Sequence, residues 1–420
     1  MKFGLACAGG VIEGAIYEIG ALCALEEAID GLDFTGMDTY VGVSSGGMIT
    51  ACLANGISAR TLSRAVISQA DPTLNLEPEV LFTPALGEFR RRLGEAPHAA
   101  LKAFWKYASS PFDLSPMGAL AEVSSLLPVG LFDNHPFEEH LARVLGEAGR
   151  TNDFRTLAAR GRHLRVLAMQ LDSSDLVAFG AEGVDHVPIS KAVQASTALP
   201  ALYCPVEIDG ASYIDGVARR TMNASLALEA GVDLLFCVNP IVPIDTMTGG
   251  LASGGRAPHL VDHGLPSVLA QTFRAAIHSR RRAGFRDYAH RFPDADVILV
   301  EPSLEDRSLF LSNLFSFANR HAVCERAYRT TRAQLRSRRD EMRAKLWRHG
   351  LRLNGEVLAD EERTLFGRLR PASERPHGES AFDRAHDALD RLDHALDDYY
   401  RAARGAGGNA EPDKALRHAA

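Results

Sequence analysis

Two short apolar runs at the start of the chain end in glycine-rich turns. Phe3 to Ala8 stops at Gly9-Gly10, and Asp38 to Val43 stops at Ser44-Ser45-Gly46-Gly47. Each leads into a segment with apolar residues at helical spacing. The first runs from Gly14 to about Ile29 through Ile16, Ile19, Leu22, Cys23 and Leu25, and the second from Met48 to a stop at Asn55-Gly56. A short apolar run closed by glycine reads as a buried strand, and recurrence every three or four residues reads as a helix. The first 56 residues therefore spell strand, glycine turn, helix, strand, tight turn, helix. Adjacent parallel strands need a helical crossover, so this alternation predicts an α/β chain with a mainly parallel sheet flanked by helices.

Sheet character returns at Leu164 to Leu171, Leu234 to Val238 and Val297 to Val300. Between these strands the pattern changes. Residues 71–150 are rich in proline, from Pro72 to Pro136, with short amphipathic pieces, and read as an inserted helical cap. Ile241 to Pro258 is rich in Gly, Thr and Ser and reads as a mobile loop. Leu265 to Ala289, with Arg280-Arg281-Arg282, and Asn319 to about Trp347 read as basic helices. Their arginines suit a solvated face, and docking to anionic headgroups is the sharper alternative. The expected division is a main domain over 1–345, a linker region over 346–381, an amphipathic helix over 382–402 and a disordered tail over 403–420. The stripe Phe382, Leu389, Leu392, Leu396 and Tyr399 packs on the domain or mediates self-association.

Composition narrows the function classes. With 46 Lys+Arg against 53 Asp+Glu the chain lacks the concentrated basic surface that nucleic acid requires, and no nucleic-acid partner is expected. Cys7, Cys23, Cys52, Cys204, Cys237 and Cys324 form no CxxC pair, which suits buried, reduced thiols in a cytoplasmic protein and no zinc site. The N-terminus carries only Lys2 before a short apolar stretch broken by Glu13, so no signal peptide is expected. No apolar run approaches the roughly 18 residues of a membrane span, so a membrane would be met from its surface. No EF-hand-like loop and no Gly-x-Gly-x-x-Gly nucleotide motif is present, and neither a metal nor a cofactor is expected.

Gly42-Val43-Ser44-Ser45-Gly46 fits Gly-x-Ser-x-Gly between a predicted strand and a predicted helix. In that context the serine sits on a sharp turn, its hydroxyl exposed, and small flanking residues let helix and strand approach closely. Ser44 is the candidate nucleophile, and the Ser45 backbone N–H can help hold an oxyanion. An α/β-hydrolase would place several strands ahead of this elbow and an acid and a histidine after it. Here one strand–helix unit precedes Ser44. None of His259, His263, His278, His290 and His321 stands in a context that singles it out.

Three segments taken together resemble the patatin-like phospholipases, a family of serine lipid acyl hydrolases. They are Gly9-Gly10-Val11-Ile12-Glu13-Gly14, the elbow around Ser44, and Ala195-Ser196-Thr197-Ala198-Leu199-Pro200 running on to Tyr213-Ile214-Asp215-Gly216. The resemblance covers residues 1–240 well and 241–340 loosely. It implies a three-layer fold and a Ser-Asp dyad without histidine. Ser44 would be the nucleophile and Asp215 the general base and acid. Gly9, Gly10 and Val11 would offer oxyanion-hole N–H groups, and Gly14, Gly42, Gly46 and Gly216 would support the turns. A base must be ionised to work, so Asp215 is expected to stay charged. The implied substrate is an acyl lipid, cleaved at its carboxylic ester bonds by hydrolysis or acyl transfer, at a peripheral membrane or lipid-droplet surface. Three residues depart from the family pattern: Val11 for a third glycine, Glu13 for a basic residue and Val217 for a small one. A β-branched Val11 must keep an ordinary φ or be strained, and Glu13 is expected to turn away from a developing oxyanion. These departures motivate the alternative expectation of a lipid-binding or scaffold protein with weak or no catalysis.

Overall fold

The computed structural model describes residues 1–95, 127–220, 222–242, 290–302 and 319–367, together with 271, 272, 275 and 288. One compact unit spans Met1–Gly367. Its first elements are β1 (Phe3–Cys7), α1 (Val11–Ala28), β2 (Thr39–Val43) and α2 (Ser45–Ala54). Then come β3 (Thr83–Pro84), β4 (Gly130–Asp133), α3 (His135–Leu145), β5 (His163–Gln170), β6 (Leu176–Phe179) and α4 (Ile189–Ser196). The described chain continues through β7 (Ala201–Tyr203), β8 (Val206–Ile208), β9 (Ala211–Asp215), β10 (Leu234–Val238) and β11 (Asp296–Val300), and on to α5 (Arg320–Ser337) and α6 (Arg339–Arg348).

The main sheet runs β11-β10-β1-β2-β5-β9-β8, with β6 also paired to β5. The pairs from β11 through β5 are parallel, as the alternating pattern predicts, and β9, β8 and β6 join antiparallel. Side chains leave a strand on alternate faces, and this sheet is buried on both. Leu5 and Cys7 of β1 face the core beneath α1 and α2, whereas Ala6 joins Val41, Val43, Leu235 and Cys237 in a second core on the other side. Sheet and flanking helices thus make three layers.

Helix α1 is buried on nearly every side and starts at Val11, three residues earlier than the apolar spacing predicts. The turn after β1 is therefore only Ala8-Gly9-Gly10, and Val11 itself completes it. Residues 71–150, read as a helical cap, contain two strands as well as helices among their described residues. β3, β4 and β7 form a separate three-stranded sheet, and Phe132 packs its ring edge on Phe82 at 5.4 Å.

The region read as a linker from residue 346 belongs in large part to the compact unit. Leu346, Leu351 and Leu358 are buried in its core, and the unit ends at Gly367. Arg332 of α5 holds this segment down. It is 1% exposed, and its guanidinium donates to the carbonyls of Val357, Asp360 (2.7 Å) and Arg363 (3.1 Å). Arg320 and Arg336 likewise donate to the carbonyls of Ile67 (2.8 Å) and Leu358 (3.2 Å). These three arginines of α5 thus bind the protein's own backbone, and Arg332 is buried where a solvated face is expected. Arg332→Ala is expected to destabilise the fold by about 2–4 kcal/mol, because it removes hydrogen bonds from a charged donor to three carbonyls and empties the space of a buried side chain. Denaturant melts of the two proteins measure this. The Arg280–Arg282 stretch, most of the 241–258 loop, the 382–402 helix with its self-association stripe and the 403–420 tail lie outside the described residues.

Candidate active site

The sheet register brings Ser44 and Asp215 to one row. Val43 of β2 pairs with Leu167 of β5, so Ser44 follows level with Ala168, and Ala168 pairs across β5 with Asp215 at the end of β9. Two strand spacings, about 10 Å between backbones, separate the two residues, and facing side chains can close that gap. The Ser44 hydroxyl lies near enough to the Asp215 carboxyl to favour its ionised form. Ser44 is 5% exposed and Asp215 1%.

Ser44 stands at φ 53°, ψ −126°, a conformation that L-residues rarely adopt. Two glycines make this turn possible by close approach. A Cβ on Gly42 would lie 2.5 Å from Gly47 Cα, and one on Gly46 would lie 2.6 Å from the Cys7 carbonyl carbon. The Gly-x-Ser-x-Gly spacing is thus the footprint of α2 folding back onto β2 and β1.

Burial pushes the Asp215 carboxyl up from 3.8 to about 7, against the lowering effect of the nearby Ser44 hydroxyl and of the hydrogen bond from the Val217 N–H (2.9 Å). The carboxyl is therefore about half ionised at neutral pH, not fully charged as expected from its role. Withdrawal from water is the cause, since no cation compensates for it among the influences on this group.

The Gly9–Val11 turn closes over the serine. A Cβ on Gly9 would meet Ser44 Cβ at 2.9 Å, so only glycine lets the two segments pack this closely. The leading N–H groups of an 18-residue helix, α1, emerge here beside the Ser45 N–H that opens α2. Val11 takes φ +57°, so of the two conformations open to it the strained one is realised. Such a residue costs on the order of 1–3 kcal/mol. Glu13 is buried and does not line the cavity described next. Gly14 closes the first turn of α1 by donating to the Gly10 carbonyl at 2.8 Å. Gly216 lies tight against β5, where a Cβ would fall 2.6 Å from the Leu167 carbonyl oxygen.

Ser44, Ser45, Val11 and Asp215 line one cavity of about 70 Å³. Its walls are otherwise mostly apolar, including Ile12, Met48, Leu76, Leu81, Phe137 and Leu202, with Asn134 and Thr197 as further polar members. The Asn134 side chain is engaged by Gln194, donating to its carbonyl at 2.9 Å and accepting from its amide at 3.1 Å. Among the described residues no histidine and no cysteine lines this cavity. Among the described residues no group of three or more His, Cys, Asp or Glu is placed to hold a metal ion.

One residue near Ser44 has a structural position that spacing alone does not reveal. Ser196 lies fully buried at the end of α4, accepts from the Ser44 N–H at 2.7 Å and donates to the Leu167 carbonyl at 2.5 Å. Its only sequence signal is its place in the Ala-Ser-Thr-Ala-Leu-Pro block.

A serine hydroxyl sharing a mostly apolar cavity with a buried carboxyl, near the start of a helix, is an arrangement suited to acyl chemistry on a greasy substrate. The model of the patatin-like phospholipase family matches residues 5–228, more than half of the chain, and the chain belongs to that family. No curated protein matches the sequence. Among solved structures, VipD from Legionella pneumophila aligns at 14% identity and TM-score 0.37 over 80% of this chain and 66% of its own. The type III effector ExoU aligns at 16% identity and TM-score 0.33 over 80% of this chain and 53% of its own. Full-length ExoU of Pseudomonas aeruginosa, in complex with SpcU, aligns at 20% identity and TM-score 0.25 over 47% of this chain and 38% of its own. The chain thus spans just under two thirds of VipD and about half of ExoU.

Proposed function

We propose that the protein is a lipid acyl hydrolase that cleaves carboxylic ester bonds of phospholipids or other acyl lipids through an acyl-enzyme on Ser44, with Asp215 as base. The observation that carries this reading is that Ser44 and Asp215 sit together on the wall of one mostly apolar cavity, where the serine hydroxyl influences the carboxyl. Asp215 takes the hydroxyl proton as Ser44 Oγ attacks the acyl carbon. The negative oxygen of the tetrahedral intermediate is held by N–H groups of Gly9, Gly10, Val11 and Ser45. The intermediate collapses, and the departing alcohol recovers the proton from Asp215. Water then repeats the sequence on the acyl-enzyme, and the apolar walls hold the acyl chain. Release of fatty acid from phospholipid vesicles, and of alcohol from a soluble short-chain ester, tests this reading. Turnover of neither by the wild-type protein would refute it.

The lipid is met at a membrane or droplet surface. Among the described residues no helix is long and apolar enough to cross a membrane. The helical backbone over 86–95 exposes Leu86, Phe89 and Leu93, one face at helical spacing, and Leu131 of β4 is half exposed. β4 pairs with β7, whose Leu202 and Tyr203 line the cavity, so apolar surface and cavity share one small sheet. Replacing Leu86, Phe89 and Leu93 together by Ser is expected to weaken co-flotation with vesicles by roughly tenfold or more, given the apolar area withdrawn from the interface. Soluble-ester hydrolysis should stay at the wild-type rate. Undiminished flotation of the triple variant would place membrane contact elsewhere.

A further inference from the structure

We propose that Ser196 is a positioning residue that stands in for a missing sheet hydrogen bond and thereby holds Ser44 at the distance from Asp215 that acyl transfer needs. This inference rests on the Ser44–Asp215 reading and extends it to a residue outside the cavity wall.

The reason lies in the ladder between β2 and β5. These strands run parallel in register to Val43–Leu167. One step on, the chain leaves β2 to make the elbow, and the Leu167 carbonyl and the Ser44 N–H can no longer meet as ladder partners. Both groups are buried, and an unpaired buried backbone group is costly. The Ser196 hydroxyl fills the gap. It donates to Leu167 O at 2.5 Å and accepts from Ser44 N–H at 2.7 Å, so a side chain bridges the two strands where their backbones diverge. A left-handed serine persists only where its surroundings over-determine it, and this bridge fixes the peptide N–H of the strained residue itself.

The same short segment also holds the acid. Two residues after Ser196, the Ala198 carbonyl accepts from the Asp215 N–H at 2.9 Å. Residues 196–198 therefore grip the backbone of both partners, one through a hydroxyl and one through a carbonyl. A methyl group at 196 removes one grip and leaves the other.

The test is Ser196→Ala in the full chain, with a soluble short-chain ester and a fluorophosphonate probe. The expected result is a fall in kcat of about 10²-fold, the scale of a misplacement near 1 Å, with KM within about twofold. Fluorophosphonate labelling should slow in parallel. The acidic limb of the kcat/KM profile should move to higher pH, because a Ser44 that drifts away withdraws a hydroxyl that favours the ionised Asp215 carboxyl. A purely structural role would lower the melting temperature without moving that limb. Ser196→Cys keeps the side chain's size with a weaker donor and acceptor. It is expected to show an intermediate kcat and a smaller shift of the same limb, and it carries the test if the alanine variant does not fold. Wild-type kcat and an unmoved limb in a folded variant would overturn the proposal. Failure of the wild-type protein to react with ester or probe would instead refute the Ser44–Asp215 reading.

Discussion

Ser44→Ala is expected to lower kcat for any ester by about 10⁴-fold or more while leaving the fold and vesicle binding intact. The magnitude follows from the loss of the covalent route, since what survives is binding and oxyanion stabilisation of attack by water. The small cost to folding follows from geometry. The contacts that hold the turn are made by the Ser44 backbone and by Gly42 and Gly46, not by the Ser44 hydroxyl. Alanine at φ 53° is strained as serine is, so the strain is unrelieved. Steady-state rates, with circular dichroism as a control for folding, measure the effect.

Asp215→Asn is expected to cost about 10³–10⁴-fold in kcat, because an amide keeps the shape of the group and cannot take the proton. The wild-type pH profile carries the same information. With the carboxyl raised to about 7, kcat/KM should climb about tenfold per pH unit below 7 and level off above it. Stability should move the other way. Between about 3.8, the ordinary value, and about 7 the native state keeps a proton that the unfolded chain has released. Its stabilising effect is complete below 3.8 and is lost as pH rises through 7. Asp215→Asn has no carboxyl to ionise in a dry site, so above pH 7 it should be more stable than wild type by on the order of a few kcal/mol. Melting temperatures at pH 5 and pH 8 test this, and a variant less stable than wild type at pH 8 would contradict it. Activity and stability are thus opposed at a single carboxyl, a common arrangement where a buried group must work as a base.

The parallel half of the sheet was legible because its strands are short, apolar and closed by glycine or serine turns. Apolar spacing located β1, β2, β10 and β11 to within a residue or so. The start of α1 was not legible, because its first turn carries Val11 in a left-handed conformation that spacing argues against. β3 and β4 were missed for a different reason. At two and four residues, with Pro84 in one and Gly130 opening the other, they have no periodicity to read. The end of the compact unit was placed too early because Leu351 and Leu358 are isolated in a polar stretch, and only their burial against the core reveals them. At the site, Ser44, Asp215, Val11 and Ser45 were readable from motifs, and they line one cavity. Ser196 and Asn134 were not readable as contacts, since their partners lie 152 and 60 residues away, at Ser44 and Gln194. The raised Asp215 carboxyl was also hidden, because burial of this depth arises from layers that close around β9 from distant parts of the chain.

The role proposed for Ser44 is that of a nucleophile whose reactivity depends on Asp215. Labelling with a fluorophosphonate, followed by intact-mass and peptide mapping across pH 5 to 9, tests it most directly. The expected result is one adduct per chain, located on Ser44, formed at a rate that rises with pH to a plateau above about 7 and that collapses in Asp215→Asn. Stable absence of label, an adduct on another residue, or undiminished labelling of Asp215→Asn would contradict it.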